Sequence, residues 1–367
     1  MSQKKPAGQY VRKKLLDIKP YPATITSAQL AEYAGLELPE ILKLNNFENP
    51  MMEGFYTKTT QSAYYAYPDP LSLNLRKALA NYTGFSSDWI ACGNGSDELI
   101  DQLLSLLVDN GEEILICPPT FPMYEVYAHI REIPFKKVIR NQDLSLNLQD
   151  IQRSISGRTK IIFIDSPGNP AGNVISKGDI AKLLKNDLIV VVDEAYYEYC
   201  GMSAAGLIKD HSNLIVLRTF SKWAGLAGMR IGYMLADPAI TERLLATKSP
   251  YNVNAAAQEA ALFALDHQAE FLGELKKLTS YRDYMVEKLS GVPGVAKVIP
   301  GQAAFVTVKL DDAGCGEVAE ALKKQGILIK PVTQPRLENS LLVGLTNLSN
   351  TDRLAAELTK LLEDKDR

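Results

Sequence analysis

Short apolar runs recur through the middle of the chain, and segments with helical periodicity separate them. Four of these runs are almost continuously hydrophobic, which is typical of strands buried on both faces of a sheet. These predicted strands are Glu113–Cys117, Lys160–Asp165, Leu188–Asp193 and Asn213–Leu217. Between them, Asp97–Val108 and Lys177–Leu184 have the apolar spacing of amphipathic helices. This alternation predicts an α/β fold with a mostly parallel, doubly wound sheet that binds ligands beyond the carboxyl ends of its strands.

The pattern changes after about Pro250. It then predicts helices over Ala255–Asp266 and Ala269–Leu289, a half-exposed strand over Ala304–Leu310, a helix over Glu317–Gln325, an apolar run over Gly326–Lys330 and a helix over Thr351–Glu363. Such an order is typical of a smaller α+β layer built on an antiparallel sheet. We therefore expect two parts that pack closely against each other.

Composition narrows the chemistry. The 367 residues carry a formal net charge of −3, so no basic field for nucleic acid or anionic lipid is expected. Four dispersed cysteines without a CxxC pair indicate neither a zinc site nor a disulfide framework, and we expect a cytoplasmic protein without membrane spans. Only three histidines occur, which disfavours a multi-histidine metal site and histidine acid–base catalysis. Another group must carry any chemistry.

Lys222 is the first candidate for that group. It follows a predicted buried strand and the small polar residues Thr219 and Ser221, and small and apolar residues come after it. Desolvation in such surroundings lowers the pKa of an amine and favours imine chemistry. The alternative is an ordinary surface lysine.

Asp193 is the second candidate because it ends the most apolar of the predicted strands. A carboxylate at that position needs a cationic or hydrogen-bond-donating partner. A protonated pyridine nitrogen is one candidate partner. The alternative is that Asp193 caps a helix beginning at Glu194.

A glycine-rich turn, Cys92–Glu98, joins a short predicted strand to a helix. Backbone N–H groups at such a helix N-terminus can bind a phosphate, although an ordinary capped helix is the alternative. Glu98 occupies the third glycine position of the GxGxxG fingerprint, and no GxxxxGK[ST] motif occurs. The turn therefore disfavours a nicotinamide-dependent dehydrogenase or a P-loop protein.

Four segments at the predicted strand ends carry a family resemblance. They are Asn169-Pro170 within SPGNPAG, Asp193–Tyr196, Thr219–Lys222 and Gly228–Arg230. In order and spacing they resemble the fold-type I pyridoxal-phosphate enzymes, and the chain is most similar to the histidinol-phosphate aminotransferases of the class I/II aminotransferase family. Weaker similarities are Lys19–Tyr21, Leu44–Pro50, Tyr67–Asp69 and Gly95–Glu98, so the resemblance covers nearly the whole chain.

The resemblance implies an aspartate-aminotransferase-like large domain over residues 47–259 and a small domain built from residues 1–46 and 260–367. It implies that Lys222 holds pyridoxal 5'-phosphate as a Schiff base and shuttles a proton, while Asp193 pairs with the ring nitrogen. The remaining implied cofactor contacts are Asn169 and Tyr196 at the ring oxygen, Phe121 on the ring face, and Ser96, Asp97, Ser221 and Arg230 at the phosphate. Tyr67 would reach the phosphate of the neighbouring subunit, which implies a homodimer.

The departures from the family concern the substrate. The position of a family asparagine is Phe47, and Trp223 replaces the small residue that usually follows the lysine. In the segment Leu337–Thr346 the family's substrate-gripping arginine falls on Leu342, and a second one falls on Lys330. A leucine and a lysine cannot grip a phosphate bidentately, so we expect poor turnover of histidinol phosphate.

Two further residues bear on the substrate. Tyr21 is a candidate substrate residue, as are Phe47, Trp223, Lys330 and Leu342. Arg336 would compensate for the lost arginines if its loop folded inward; an exposed loop arginine is the alternative that we favour.

The expected reaction is transamination of a small amine or amino acid. The rival within the same cofactor class is a lyase, cyclase or oxidase that acts on an amino acid such as a hydroxylated arginine. Both begin with loss of a proton from Cα, and the sequence does not choose between them. A catalytically silent regulatory protein is a third possibility, disfavoured because the chain has no room for an added DNA-binding domain.

Overall fold

The computed structural model describes residues 25, 27–47 and 67–363. In chain order the strands of this part are β1 (Leu42–Lys43), β2 (Ile90–Gly93), β3 (Glu113–Ile116), β4 (Phe135–Lys137), β5 (Thr159–Asp165), β6 (Ile189–Asp193), β7 (Leu214–Thr219), β8 (Gly232–Leu235), β9 (Val295–Ile299), β10 (Phe305–Leu310), β11 (Ile327–Leu328), β12 (Lys330–Val332) and β13 (Ser340–Gly344). The α-helices are α1 (Ser27–Ala34), α2 (Leu73–Thr83), α3 (Ser96–Leu107), α4 (Met123–Arg131), α5 (Leu148–Ser154), α6 (Lys177–Leu183), α7 (Tyr197–Cys200), α8 (Pro238–Thr247), α9 (Ala255–Asp266), α10 (Gln268–Ser280), α11 (Arg282–Ser290), α12 (Cys315–Lys324) and α13 (Leu348–Glu363).

The larger sheet has seven strands in the order β2-β8-β7-β6-β5-β3-β4. Its neighbours are parallel from β7 to β4, and β8 runs antiparallel to both of its neighbours. Successive residues of β5 alternate between two apolar clusters, with Ile162 and Ile164 in one and Ile161 and Phe163 in the other. Since β6 and β7 divide in the same way, both faces of the sheet are buried. The predicted α/β fold with a mostly parallel, doubly wound sheet is confirmed.

The predicted central elements lie within one or two residues of the observed ones. The four predicted strands correspond to β3, β5, β6 and β7, and the two predicted helices between them correspond to α3 and α6. Local apolar patterning locates these elements well because burial on both faces leaves a continuous hydrophobic run.

The smaller sheet is antiparallel, with the order β12-β13-β10-β9. We call this sheet, together with α11, α12, α13 and β11, the C-terminal layer. Strand β1 pairs parallel with β11, so a segment from the beginning of the chain joins this layer. That pairing agrees with a small domain built from both chain ends, whose boundaries at residues 46/47 and 259/260 stay a prediction.

Three details of the C-terminal layer differ from expectation. Strand β10 is not half-exposed, because Lys309 is its only exposed residue and Phe305 packs against Phe47 with ring centroids 4.8 Å apart. The single helix expected over Ala269–Leu289 is two helices, since the Tyr281 N–H closes a tighter turn on Leu278 O at 3.2 Å. The apolar run over residues 326–330 contains β11 and only the first residue of β12, and these two short strands pair with different partners.

No helix within the described ranges is long and apolar enough to cross a membrane.

Candidate active site

The carboxyl ends of β3, β5, β6 and β7 meet at one edge of the larger sheet, where parallel strands must end together. Between this edge and the C-terminal layer lies a cavity of about 830 Å³. The sequence-predicted residues that line it are Phe47, Ser96, Asp97, Phe121, Asn169, Asp193, Tyr196, Ser221, Lys222, Arg230 and Lys330. The fold therefore brings together residues that are spread over most of the chain.

Lys222 presents its amine to this cavity. Its neighbour Trp223 is fully buried in the core, so the backbone there is held from behind while the lysine faces the cavity. The Lys222 Nζ donates a hydrogen bond to Asn46 O at 2.9 Å. The same atom lies 5.7 Å from the centroid of the Phe47 ring and 5.9 Å from that of the Tyr196 ring. An ordinary surface lysine is excluded, because Lys222 lines a cavity and its amine lies near two aromatic rings there.

Asp193 is buried at the end of β6. Its Oδ2 accepts a hydrogen bond from the Tyr124 hydroxyl at 2.9 Å, and its Oδ1 accepts one from the Ala195 N–H at 3.0 Å. Burial raises the pKa of Asp193 to about 7, and the hydrogen bond from Tyr124 opposes the rise. The helix-capping interpretation is wrong, since α7 begins at Tyr197 with Tyr196 in the capping position.

Asn169 and Tyr196 lie together on one side of the cavity. Asn169 Nδ2 donates to the Tyr196 hydroxyl at 3.4 Å, and the Asn169 N–H donates to Asp165 Oδ2 at 2.7 Å. Asn169 Oδ1 is buried, and no described residue donates a hydrogen bond to it. Because a buried acceptor without a partner costs about 1–3 kcal/mol, this atom indicates a donor beyond the described residues, such as a bound ligand.

The N-terminus of α3, where Ser96 and Asp97 line the cavity, forms an anion cradle. Gly95 precedes the helix with φ +82, and a Cβ there would lie 2.7 Å from Arg230 Nη2. A Cβ at Gly232 would lie 2.7 Å from Ser96 N, so this glycine lets β8 approach the helix terminus closely. Backbone N–H groups at a helix N-terminus and a nearby guanidinium favour a bound anion such as phosphate.

Arg230 completes that cradle. Its Nη2 donates to Asp97 Oδ2 at 2.8 Å, and its Nη1 donates to Ala227 O at 3.1 Å and to Ser221 Oγ at 3.5 Å. The guanidinium is therefore held in place beside the helix terminus and the Ser221 hydroxyl.

Three predicted residues lie away from the cavity, and one falls outside the described ranges. Tyr67 is 82% exposed and stacks on Tyr251 with ring centroids 4.6 Å apart. Trp223 is fully buried and stacks on Tyr82 at 5.7 Å. Leu342 is fully buried in β13, an inner strand of the smaller sheet. Neither Trp223 nor Leu342 is among the described residues that line the cavity, because both side chains pack into the core. Tyr21 lies outside the described residues.

Lys330 is one of the two lysines that the C-terminal layer brings to the cavity, and Lys323 is the other. Desolvation lowers the pKa of its ammonium group, and no described residue forms an ion pair with Lys330.

Arg336 is neither turned into the cavity nor an exposed loop arginine, so both interpretations of this residue are wrong. It is half-buried, and its Nε donates to Arg140 O at 3.0 Å.

The sequence did not reveal the residues that form hydrogen bonds or ion pairs with the carboxyl groups of the cavity. In the sequence, Tyr124 has the pattern of an ordinary core residue of α4, and only the structure shows that its hydroxyl bonds to Asp193. Asp165 lines the cavity and is paired with fully buried Arg140 at 2.5 Å. A signal for Asp165 existed, since it ends β5 as Asp193 ends β6 and the two residues are neighbours in register.

Comparison with known proteins identifies the family. The model of the family "Aminotransferase class I and II" matches residues 32–358, so the chain belongs to this family of pyridoxal-phosphate-dependent transferases. A histidinol-phosphate aminotransferase of Dehalococcoides mccartyi is 37% identical over 357 residues, which are 95% of this chain and 99% of that protein. A chloroplastic histidinol-phosphate aminotransferase of Arabidopsis thaliana is 36% identical over 94% of this chain and 84% of its own length.

The fold agrees with solved structures. The crystal structure of histidinol-phosphate aminotransferase from Sinorhizobium meliloti in complex with pyridoxal-5'-phosphate superposes with a TM-score of 0.82 at 22% identity. The similarity covers 94% of this chain and 96% of that chain. The architecture is therefore that of this family over almost its full length.

The described residues fit pyridoxal phosphate, the cofactor of this family. The cavity holds an amine at Lys222, a buried carboxyl at Asp193, an unpartnered acceptor at Asn169 Oδ1 and an anion cradle at the α3 terminus. These groups match, in turn, an aldehyde, a ring nitrogen that can carry a proton, a ring hydroxyl and a phosphate.

Proposed function

We propose that the protein transfers the amino group of a small amine or amino acid, with Lys222 as the residue that holds the cofactor and moves the proton. The observation that carries this proposal is the presence of the Lys222 amine and the buried Asp193 carboxyl in one cavity. The bound cofactor supplies an electron sink that stabilises a carbanion at the substrate Cα.

Lys222 is the proposed acid and base. Once the substrate has displaced this amine from the cofactor, Nζ would be free to accept the proton that leaves the substrate Cα and to donate a proton in the later step of the transfer. The Phe47 and Tyr196 ring centroids lie 5.7 and 5.9 Å from Nζ, so both rings border the place where the amine would act.

Asp193 is proposed to stabilise a proton on the ring nitrogen. Without a cationic partner its buried carboxyl has a raised pKa, so a positive charge beside it would offset the cost of ionisation. The Tyr124 hydroxyl bonded to Oδ2 orients this carboxyl.

The other cofactor contacts follow the same geometry. Asn169 and Tyr196 are proposed to bind the ring oxygen, Phe121 to cover the ring face, and the phosphate contacts are proposed to be Ser96, Asp97, Ser221 and Arg230. Each of these residues lines the cavity, which supports the assignment.

A homodimer is proposed because of Tyr67. Its ring is exposed, stacks on Tyr251 and stands outside the cavity of its own chain, so its hydroxyl is available to a second copy.

Four free cysteines agree with a reducing compartment such as the cytoplasm.

The substrate is proposed to carry a single-charged anionic group at Lys330. A lysine ammonium is a point charge that suits a carboxylate, whereas bidentate recognition of a phosphate requires the planar fork of an arginine. The names of the relatives suggest histidinol phosphate, but Leu342 stands at the position of a family arginine, and Arg336 is engaged with Arg140 and does not line the cavity. The other lysine that this layer brings to the cavity, Lys323, is paired with Glu320 at 3.6 Å.

The test begins with the cofactor. Purified protein should show a visible absorption band that borohydride abolishes, and Lys222→Ala should lose the reducible linkage. A colourless protein that cannot take up pyridoxal phosphate would overturn the proposal.

The reaction is tested by mass analysis of products from amino acids, histidinol phosphate and hydroxylated arginines. A keto product, with the amino group retained by the cofactor, supports transamination. Loss of water with the amine retained would identify the lyase or cyclase instead. Efficient turnover of histidinol phosphate would contradict the role given to Lys330 and Leu342.

A further inference from the structure

Gln334, in the segment between β12 and β13, bonds at two points to the backbone of Thr120. The Thr120 N–H donates to Gln334 Oε1 at 2.9 Å, and Gln334 Nε2 donates to Thr120 O at 3.0 Å. The two residues are 214 positions apart in the chain. One side chain of the C-terminal layer thus satisfies both backbone polar groups of a residue in the β3–α4 loop, as a neighbouring strand would do.

The anchored residue directly precedes Phe121, the ring that faces the main cavity. On its other side Phe121 borders a second cavity of about 230 Å³, which Gln334 also lines. Phe121 contacts Tyr124 edge-on at 5.7 Å, but the second cavity leaves part of its surroundings without close packing. The position of the ring therefore depends on where the loop backbone is held.

The same anchor extends to Asn169 through side chains. The Thr120 hydroxyl donates to Asp165 Oδ1 at 2.9 Å, and Asp165 Oδ2 accepts from the Asn169 N–H at 2.7 Å. Consecutive hydrogen bonds thus connect Gln334 to the residue whose Oδ1 awaits a donor in the cavity.

We propose that Gln334 is a positioning residue, which holds Phe121 and Asn169 in place against the cofactor from the opposite layer of the molecule. This proposal rests on the proposed function of the cavity. Because the C-terminal layer also carries Lys330, Gln334 joins the wall that would meet the substrate to the wall that would hold the cofactor.

The first test measures the anchor in the protein without cofactor. Gln334→Met keeps the length of the side chain and removes both hydrogen bonds, and Glu338→Gln on the same loop is the matched control because Glu338 is exposed. A peptide over residues 118–122 contains three prolines, so only Thr120 and Phe121 report hydrogen exchange. We expect exchange in this peptide to accelerate about tenfold in Gln334→Met and to stay at the wild-type rate in the control.

The second test measures the effect on the cofactor. Titration of the apoprotein with pyridoxal phosphate should give a dissociation constant raised about tenfold in Gln334→Met, with a shifted absorption band. Thr120→Val keeps the backbone anchor and removes the hydroxyl, so it should weaken binding less. In a Phe121→Leu background, Gln334→Met should add less than it does alone, since part of its effect passes through the ring.

The outcomes separate the claims. Unchanged exchange in Gln334→Met would overturn the anchor itself. Faster exchange with a wild-type dissociation constant and absorption band would overturn the positioning role and leave a purely structural contact. If the wild-type protein binds no pyridoxal phosphate, the proposed function fails and the positioning role fails with it, whatever the exchange rates.

Discussion

On the sheet side of the cavity the carboxyl groups have partners: Asp193 is held by Tyr124, and Asp165 is held by Arg140. On the side of the C-terminal layer, Lys330 has no ion-pair partner among the described residues. The first wall is organised by contacts within the protein before any ligand arrives, which suits a cofactor that stays bound throughout the reaction. Lys330 on this second wall would take its counter-charge from the ligand, which suits a substrate that enters and leaves.

Lys222→Ala should produce the largest effect on the sheet side. We expect kcat to fall about 10⁴-fold, because the variant loses the proton-transferring group. Steady-state kinetics with the best substrate checks this, and Lys185→Ala is the control because Lys185 is exposed. An equal fall in kcat in both variants would show that Lys222 is not the proton-transferring group.

Asp193→Asn should weaken cofactor binding about 10²–10³-fold, since loss of one partner of a buried charge pair costs about 3–5 kcal/mol. Titration of the apoprotein measures this, with Asp187→Asn as the exposed control. Unchanged affinity would show that Asp193 does not meet a charged ring nitrogen.

The same substitution should stabilise the apoprotein as the pH rises. Burial raises the pKa of Asp193 from 3.8 to about 7, so the folded state holds a proton that the unfolded state has released. The stability that this proton contributes is complete below the lower pKa and is lost as the pH rises through the higher one. Between these two pKa values, the free energy of unfolding of apo Asp193→Asn should therefore rise relative to that of the wild-type apoprotein by on the order of 4 kcal/mol, which denaturation at a series of pH values measures.

Arg140→Met tests the organisation of the sheet-side wall apart from catalysis. It leaves buried Asp165 without its cation, so we expect the free energy of unfolding to fall by about 3–5 kcal/mol. The double variant Arg140→Met/Asp165→Leu should recover part of this loss, because no buried charge remains. Denaturant unfolding checks both, and an equal loss in the double variant would show that the charge pair is not the cause.

Lys330→Met should have the smallest effect, and it should act on KM. Loss of a charged hydrogen bond costs about 1.5–3 kcal/mol, so KM for an anionic amino acid should rise about 10–100-fold with little change in kcat. Lys309→Met, on the exposed side of the same sheet, is the control. Desolvation lowers the pKa of Lys330, so its ammonium group loses its proton at a lower pH than an ordinary lysine does. In wild type, KM should therefore rise with pH before the pH reaches the usual pKa of a lysine. A wild-type pH profile as flat as that of Lys330→Met would contradict this role.

The sequence predicted the sheet side well and the opposite side poorly. The predicted carboxyl ends of β5 and β6 match the structure, and that of β7 falls two residues short of the observed end. The agreement is close because these strands are buried on both faces, which leaves a pattern within five to seven residues of chain. Trp223 and Leu342 were proposed as substrate residues from their positions in family motifs. Which way a side chain points from such a position depends on packing against distant helices and strands, and both residues pack into the core.

By itself, the sequence determined the fold class, the family and the residues that face the cavity from the strand ends, because each rests on local patterning or on contiguous motifs. Only the tertiary structure decided which groups hold those residues. The bonds from Tyr124 to Asp193 and from Gln334 to Thr120 join residues 69 and 214 positions apart, and no local pattern encodes a contact at that distance. That Lys330 has no ion-pair partner in the described part of the chain is likewise a property of the folded surroundings, since it depends on what each neighbouring element brings to the cavity.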